Sequence, residues 1–209
     1  MNLAIHYRGG GGITLPRPAD ADWDLIEVYW CDVPRAPSAI LDTNPNHRKF
    51  HAVAELANAG RLEPYDHVMM CDDDIVPVES VSALFAEFAR SGARVAHPAL
   101  TRDSFFSHTH SLVDDPVVEA FVDVPFTELI CPMFTREALA DYVPQFPELL
   151  YAWGLEQLWA HRERAAGRRV VRLDHALIRH TRPVGQGTAY VAQRAVADCR
   201  AFMARYGIT

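Results

Sequence analysis

Three consecutive aspartates, Asp72, Asp73 and Asp74, follow an apolar run near the middle of the chain. The run, Val68 to Cys71, has the length of a buried strand, and Pro77 prevents the strand from continuing in a ladder. Side chains alternate along a strand at about 3.3 Å per residue, so Asp72 and Asp74 are expected on one face, roughly 6.6 Å apart at Cα. Asp73 is expected to point away. Two such carboxylates can hold one divalent cation, although a solvated acidic turn is the simpler interpretation.

A fourth acidic candidate is Glu156, in the segment Trp153-Gly154-Leu155-Glu156. Apolar residues recur at helical spacing after Gly154, so Glu156 is predicted in the first turn of a helix. The helix dipole favours a carboxylate there, keeps it ionised and lowers its basicity. Glu156 is therefore either a functional acid or an ordinary helix-start glutamate, and Trp153 either stacks on a sugar ring or belongs to the core.

Cationic candidates occur in two places. Lys49 lies at the start of a predicted helix, where cations oppose the macrodipole, so it either binds an anion or is a solvated surface charge. Near the C-terminus, a predicted loop brings together an imidazole, a guanidinium and a glycine: His180, Arg182 and Gly185.

Alternating strand and helix patterns predict the elements that position these groups. Strands are predicted at 3–7, 24–30, 68–71, 94–97, 126–134, 169–173 and 176–179, and helices at 46–59, 78–90, 135–142 and from Leu155 onwards. This order predicts one α/β domain, residues 1–209, with a mainly parallel, Rossmann-like central sheet and helices on both faces. Ligands of such sheets bind at the carboxyl ends of strands, where Asp72 and Asp74 are predicted.

Composition restricts the partners and the compartment. The net charge of −7 argues against a general nucleic-acid-binding protein, because phosphate contacts need a basic surface. The four cysteines form no CxxC pair and indicate buried free thiols in a reducing compartment. The first residues carry neither a basic region nor a long apolar segment, so the sequence predicts a cytoplasmic protein with no transmembrane segment.

Several short motifs, taken in order, resemble nucleotide-sugar-dependent glycosyltransferases of the GT-A fold and, more narrowly, the DUF707 family placed near them. They span over half of the chain and comprise Tyr65-Asp66-His67 ahead of Asp72-Asp73-Asp74, His97-Pro98-Ala99-Leu100, Asp103-Ser104-Phe105, Ser107-His108, Glu128 to Phe134, Trp153-Gly154-Leu155-Glu156, and His180 to Val184. The family pattern has an aspartate where this chain has Glu156. The chain is also short for the fold, which predicts an acceptor region that is reduced or completed by a partner subunit.

The resemblance implies a GT-A-like fold with a DxD metal site at Asp72 and Asp74 and with His180 as a third ligand. Oxygen ligands with one imidazole suit Mn²⁺, with Mg²⁺ as the alternative. The implied donor is a UDP- or GDP-sugar, and the acceptor is a carbohydrate or a small molecule with a hydroxyl group.

The implied reaction assigns a role to each remaining candidate. Arg182 contributes a second positive charge on the diphosphate, and Asp73, Lys49 and Gly185 complete the donor site. Asp72 or Asp73 alternatively binds the ribose hydroxyls. Glu156 is the candidate base for attack with inversion, and Trp153 and Gly154 form the acceptor site.

Two other classes of function use the same residue types. A metal-dependent nucleotidyltransferase or phosphohydrolase would also cluster aspartates around Mg²⁺, and it would release phosphate or pyrophosphate without an acceptor sugar. A non-catalytic nucleotide-sugar-binding protein would bind the donor and tolerate Glu156→Ala. The sequence leaves the sugar, inversion or retention, and a possible homo-oligomer open.

Overall fold

The computed structural model describes residues 1–9, 11–33, 35, 38–44, 48–183 and 191–208. The strands are β1 Asn2–Arg8, β2 Trp23–Tyr29, β3 Ile40–Leu41, β4 His67–Asp72, β5 Ile75–Pro77, β6 Val95–Leu100, β7 Phe121–Asp123, β8 Met133–Thr135 and β9 Val170–His180. The helices are α1 Lys49–Asn58, α2 Val81–Ser91, α3 Arg136–Tyr142, α4 Leu155–Ala165 and α5 Ala192–Arg205, with short 3₁₀ helices at Thr109–Ser111 and Val143–Glu148. Among the described helices, none is long and apolar enough to cross a membrane.

The strands form one mixed sheet in the order β3-β2-β1-β4-β8-β6-β9-β5, with β7 also paired to β9. Pairings β1–β2, β1–β4, β2–β3 and β6–β9 are parallel, whereas β4–β8, β6–β8, β5–β9 and β7–β9 are antiparallel. The α/β prediction is confirmed, but the predicted mainly parallel sheet is not, because half of these pairings are antiparallel. Hydrophobic periodicity identifies strands and carries no information on the direction of their neighbours.

Helices cover both faces of the sheet, as predicted. One face packs against α1, α3 and α4, and its core includes Trp159 and Phe134, whose rings meet edge to face with centroids 4.8 Å apart. The other face packs against α2 through Leu84, Phe85 and Phe88. These two apolar layers hold the strands rigidly, so the strand ends present side chains from a fixed frame.

Two predicted helix ends have the expected capping chemistry. The Ser80 hydroxyl accepts a hydrogen bond from the Ala83 N–H at the start of α2, which ends at Gly92 with φ 64°. The Thr135 hydroxyl accepts from the Ala138 N–H at the start of α3. The predicted ranges, 78–90 and 135–142, match the end of α2 and both ends of α3 to within one residue, but α2 starts three residues later than predicted.

Two strand predictions need correction. The predicted strand 126–134 is a strand only at Met133–Thr135, because Pro132 has no N–H to donate to a ladder. Conversely, the two predicted pieces at 169–173 and 176–179 form one strand, β9. The strand continues through Asp174 because Arg172 neutralises this buried carboxylate, with Nη2 2.8 Å from Oδ2.

Candidate functional site

The turn after β4 brings the aspartates against the end of β9. β4 ends at Asp72, Asp73 and Asp74 form the turn, and β5 starts at Ile75. β5 pairs antiparallel with β9 so that Ile75 lies opposite His180. The Thr181 N–H donates to the Asp74 carbonyl at 2.9 Å. Main-chain pairing alone therefore places the His180 ring beside the Asp74 side chain.

The Asp74–His180 pair has an arrangement that suits a cation. His180 Nδ1 lies 2.9 Å from the Phe105 carbonyl oxygen, which only accepts, so Nδ1 carries a proton. The other nitrogen, Nε2, lies 3.2 Å from Asp74 Oδ2 and needs either a second proton or a cation between the two atoms. Asp74 Oδ1 is buried and has no hydrogen-bond partner within the described residues. A metal-binding histidine usually has just such a carbonyl partner on its second nitrogen.

The electrostatics of this pair agree with the geometry. Burial would lower the pKa of His180, but the Asp74 carboxylate outweighs it and the pKa lies above the usual value. Burial would raise the pKa of Asp74, but His180 and Arg182 outweigh it and the pKa lies below the usual value. These shifts favour a protonated His180 ring beside an ionised Asp74 carboxylate, and a metal cation would have to replace that proton on Nε2.

Asp72 forms an ion pair with a different residue, Lys49. Its Oδ1 lies 2.7 Å from Nζ of Lys49, which also donates to the carbonyls of Leu129 and Ile130. Burial raises the pKa of Asp72, and Lys49 opposes that rise. In the described ranges no three His, Cys, Asp or Glu side chains form a metal-binding group. The strand ends at Asp72, so the strand alternation behind the predicted shared face of Asp72 and Asp74 does not extend to Asp74.

Asp73 shares the Arg182 guanidinium with Asp74 and organises the glycine-rich loop after β1. Its Oδ2 accepts from the Gly9 N–H at 2.7 Å, and its carbonyl accepts from the Ile13 N–H at 2.7 Å. A Cβ on Gly12 would lie 2.3 Å from Asp73 Oδ2, and a Cβ on Gly9 would lie 2.3 Å from the Trp30 ring. The glycines are therefore required for close packing of this loop.

Arg182 joins the two turn aspartates. Its Nε donates to Asp74 Oδ2 at 3.1 Å, and its Nη2 contacts Asp73 Oδ1. The side chain remains 53% exposed, so its other N–H donors can reach an anion from solvent. Arg182, Asp73, Asp74 and His180 thus form one cluster, in which Asp74 and His180 are predicted metal ligands and Asp73 and Arg182 are predicted donor-binding residues.

Glu156 lies buried in the first turn of α4, and its Oε2 accepts from the Gly154 N–H at 3.0 Å. Burial raises its pKa from 4.5 to about 8, against the opposing effect of these backbone hydrogen bonds. The predicted low basicity is therefore wrong, because desolvation outweighs the helix dipole. A carboxyl group with this pKa is suited to proton transfer near neutral pH.

Backbone strain surrounds Trp153. Ala152 has φ 64° and Gly154 has φ 110°, and among the described residues Ala152 is the one non-glycine with positive φ. Trp153 lines a cavity of about 300 Å³ that also contacts Asp72 and Lys49. Residues held in such conformations cluster at functional sites. Of the two predicted acceptor residues, Trp153 therefore shares a cavity wall with Asp72, whereas Gly154 faces Phe202, Cys199 and Leu149.

Glu128 is a buried acidic residue that is not among the site residues predicted from the sequence. Its buried carboxylate accepts a hydrogen bond from the buried Ser111 hydroxyl at 2.7 Å, and burial raises its pKa. The imidazoles of His108 and His180 oppose that rise in pKa, so Glu128 interacts electrostatically with a member of the Asp74–His180 pair. The sequence feature that could have identified Glu128 is its charge, which is the single charge in the mostly apolar segment Thr127 to Phe134.

Gly185, predicted to bind the donor, lies outside the described residues.

The chain matches no family model and no curated protein. Among solved structures it is similar to the crystal structure of A197 from STIV, with a TM-score of 0.53. The two chains are 14% identical, and the match covers 87% of this chain and 85% of A197. At this identity the similarity concerns the fold, and it extends over nearly the whole α/β domain.

Proposed function

We propose that this protein is a metal-dependent glycosyltransferase of the GT-A type that transfers a sugar from a UDP- or GDP-sugar to an acceptor hydroxyl. The observation that carries this proposal is the Asp74–His180 pair, in which His180 Nε2 faces Asp74 Oδ2 at 3.2 Å and Asp74 Oδ1 is buried without a described partner. The free state of all four cysteines supports a reducing, cytoplasmic location.

Asp74 and His180 would hold the cation, Mn²⁺ or Mg²⁺, and Lys49 competes with it for Asp72, the second carboxylate of the proposed set. When bound, such a cation supplies positive charge that stabilises the leaving diphosphate. Arg182 would bind the phosphate oxygens with the N–H groups that Asp73 and Asp74 do not use. Asp73 would keep the glycine loop closed beside them.

Glu156 is the proposed base. Its carboxylate would take the proton of the acceptor hydroxyl while that oxygen bonds to the anomeric carbon, and the electron pair of the broken bond would remain on the diphosphate. Its pKa of about 8 suits this transfer, and Glu128 is the second buried acid in the same region. Glu156→Gln should abolish transfer and leave nucleotide binding nearly intact.

The test is a thermal-shift panel of UDP-, GDP-, CMP- and dTDP-sugars, each with and without Mn²⁺. We expect one nucleotide class to raise the melting temperature only when the metal is present. His180→Gln should lower the Mn²⁺ affinity by about 10- to 100-fold or more. His175→Gln is the matched control, because His175 lies exposed on the same strand. No shift with any nucleotide, or equal shifts without metal, would contradict the proposal.

A further inference from the structure

A cavity of about 300 Å³ opens on the Asp72 side of the site and has a different chemistry from the Asp74–His180 cluster. Four aromatic rings and four aliphatic side chains contribute to its wall, with three charged residues beside them: Tyr7, Phe50, Tyr151, Trp153, Leu129, Ile130, Leu150, Ala152, Arg48, Lys49 and Asp72. Its volume is at the lower end of the range for small-molecule sites, about 300–1,000 Å³.

The charged groups of the wall are largely satisfied by each other. Lys49 Nζ binds Asp72 Oδ1 at 2.7 Å and the carbonyl oxygen of Leu129. Its ammonium also lies 5.3 Å from the centroid of the Phe50 ring. The cavity therefore offers a ligand mainly apolar and aromatic surface, with Arg48 and the Lys49–Asp72 ion pair as its charged groups.

Building on the proposed function, we propose that this cavity binds the acceptor and that the acceptor is a small aromatic compound with a hydroxyl group, not a free sugar. A planar ring can stack against Tyr7, Tyr151 or Trp153 and bury its apolar faces. A sugar ring would place several hydroxyls against a wall whose surface is mostly apolar, so some of them would lose their hydrogen bonds to water without replacement, which is costly. The lining thus selects against the more polar acceptor class.

The position of the cavity separates it from the donor phosphates. Arg182, His180 and Asp74 lie outside its lining, whereas Asp72 lies in its wall and is two residues from Asp74 in sequence. A ring in the cavity would therefore lie beside the metal and phosphate cluster without occupying it. Ala152, with φ 64°, and Trp153 both belong to the cavity wall.

The test is calorimetric titration of the metal-free protein with 4-methylphenol, with methyl β-glucopyranoside and with uridine. We expect 4-methylphenol to bind and the glucoside to show no binding over the same concentrations. Uridine should not compete with 4-methylphenol. Binding of the glucoside alone, or competition by uridine, would overturn the inference, because the cavity would then be a sugar or nucleobase site.

Two variants that fill the cavity test whether 4-methylphenol binds there. Leu150→Trp should weaken 4-methylphenol binding at least tenfold, and Ile130→Phe fills the cavity from another wall if the first variant does not fold. Leu25→Trp is the matched control, because Leu25 lines a different cavity with Arg17, Asp24 and Tyr65. Unchanged binding in the two folded cavity variants would overturn the assignment.

The outcomes separate this inference from the function on which it rests. If a nucleotide-sugar stabilises the protein with Mn²⁺ but 4-methylphenol does not bind, the acceptor class is wrong and the transferase proposal stands. If 4-methylphenol binds in the cavity but no nucleotide-sugar stabilises the protein, the transferase proposal fails and the aromatic site stands.

Discussion

Among single residues, the buried acids differ in whether a cation compensates them. Glu163, which is fully buried, forms ion pairs with Arg94 and Arg168 and accepts from the Tyr142 hydroxyl. Glu128 and Glu156 form no ion pair with Lys or Arg within the described part of the chain. An uncompensated buried carboxyl group costs stability, and groups with such shifted pKa values are concentrated at functional sites.

Glu156 should make the stability of the protein depend on pH. Its pKa is about 8 in the folded state and near the usual 4.5 in the unfolded chain, so the folded state binds more protons between these values. Its contribution to the free energy of unfolding should therefore fall as the pH rises from about 4.5 to about 8. At about 1.4 kcal/mol per pKa unit, the loss is on the order of 3–5 kcal/mol.

Glu156→Gln removes this titration, so the variant should gain stability relative to the wild type as the pH rises from 5 to 8. Urea unfolding at several pH values measures the difference between the two proteins, which cancels the other titrating groups. A constant difference across this range would contradict the assigned pKa.

At the level of elements, the glycine loop and the β4–β5 turn form one unit. Gly12→Ala should destabilise the protein by about 1–3 kcal/mol, because the added Cβ would lie 2.3 Å from Asp73 Oδ2. It should also weaken nucleotide binding, since Asp73 contacts Arg182. Gly11→Ala is the matched control in the same loop, because its Cβ would meet nothing within 4 Å. Thermal unfolding compares the two, and equal effects would contradict the packing role of Gly12.

A second inter-element connection is the buried Arg172 on β9. Its guanidinium binds Asp174 on the same strand. It also binds Asp114 and the His110 carbonyl, which both lie in the segment between β6 and β7. Arg172→Met should cost about 3–5 kcal/mol, because it leaves the buried Asp174 carboxylate without a counter-ion.

Arg169→Met tests whether burial is the cause of that cost. Arg169 pairs with Asp123 on the surface, with both side chains more than half exposed, so its loss should cost at most about 1 kcal/mol. Urea unfolding measures both variants. Similar losses in the two would contradict the special role of the buried pair.

At the scale of the whole molecule, the charge distribution argues against binding of nucleic acid. The net charge is −7, and the positive groups of the site are already engaged by aspartates. We therefore expect no binding of labelled single-stranded or duplex oligonucleotides at about 150 mM salt, measured by fluorescence anisotropy. Dissociation constants of about 10⁻⁴–10⁻⁶ M, typical of non-specific binding proteins, would contradict this expectation.

The sequence by itself determined the local elements. The apolar spacing of α2 and α4, the Thr135 cap and the apolar run of β4 were readable because they depend on neighbouring residues. The same reading located the aspartates at a strand end and Glu156 at a helix start.

Tertiary structure decided which of these groups meet and what charge they carry. Lys49 reaches Asp72 across the fold, and His180 reaches Asp74 because β5 and β9 pair antiparallel. Burial reversed the expected basicity of Glu156. Strand direction, counter-ion choice and desolvation depend on contacts between residues far apart in the chain, and local periodicity contains no information about those contacts.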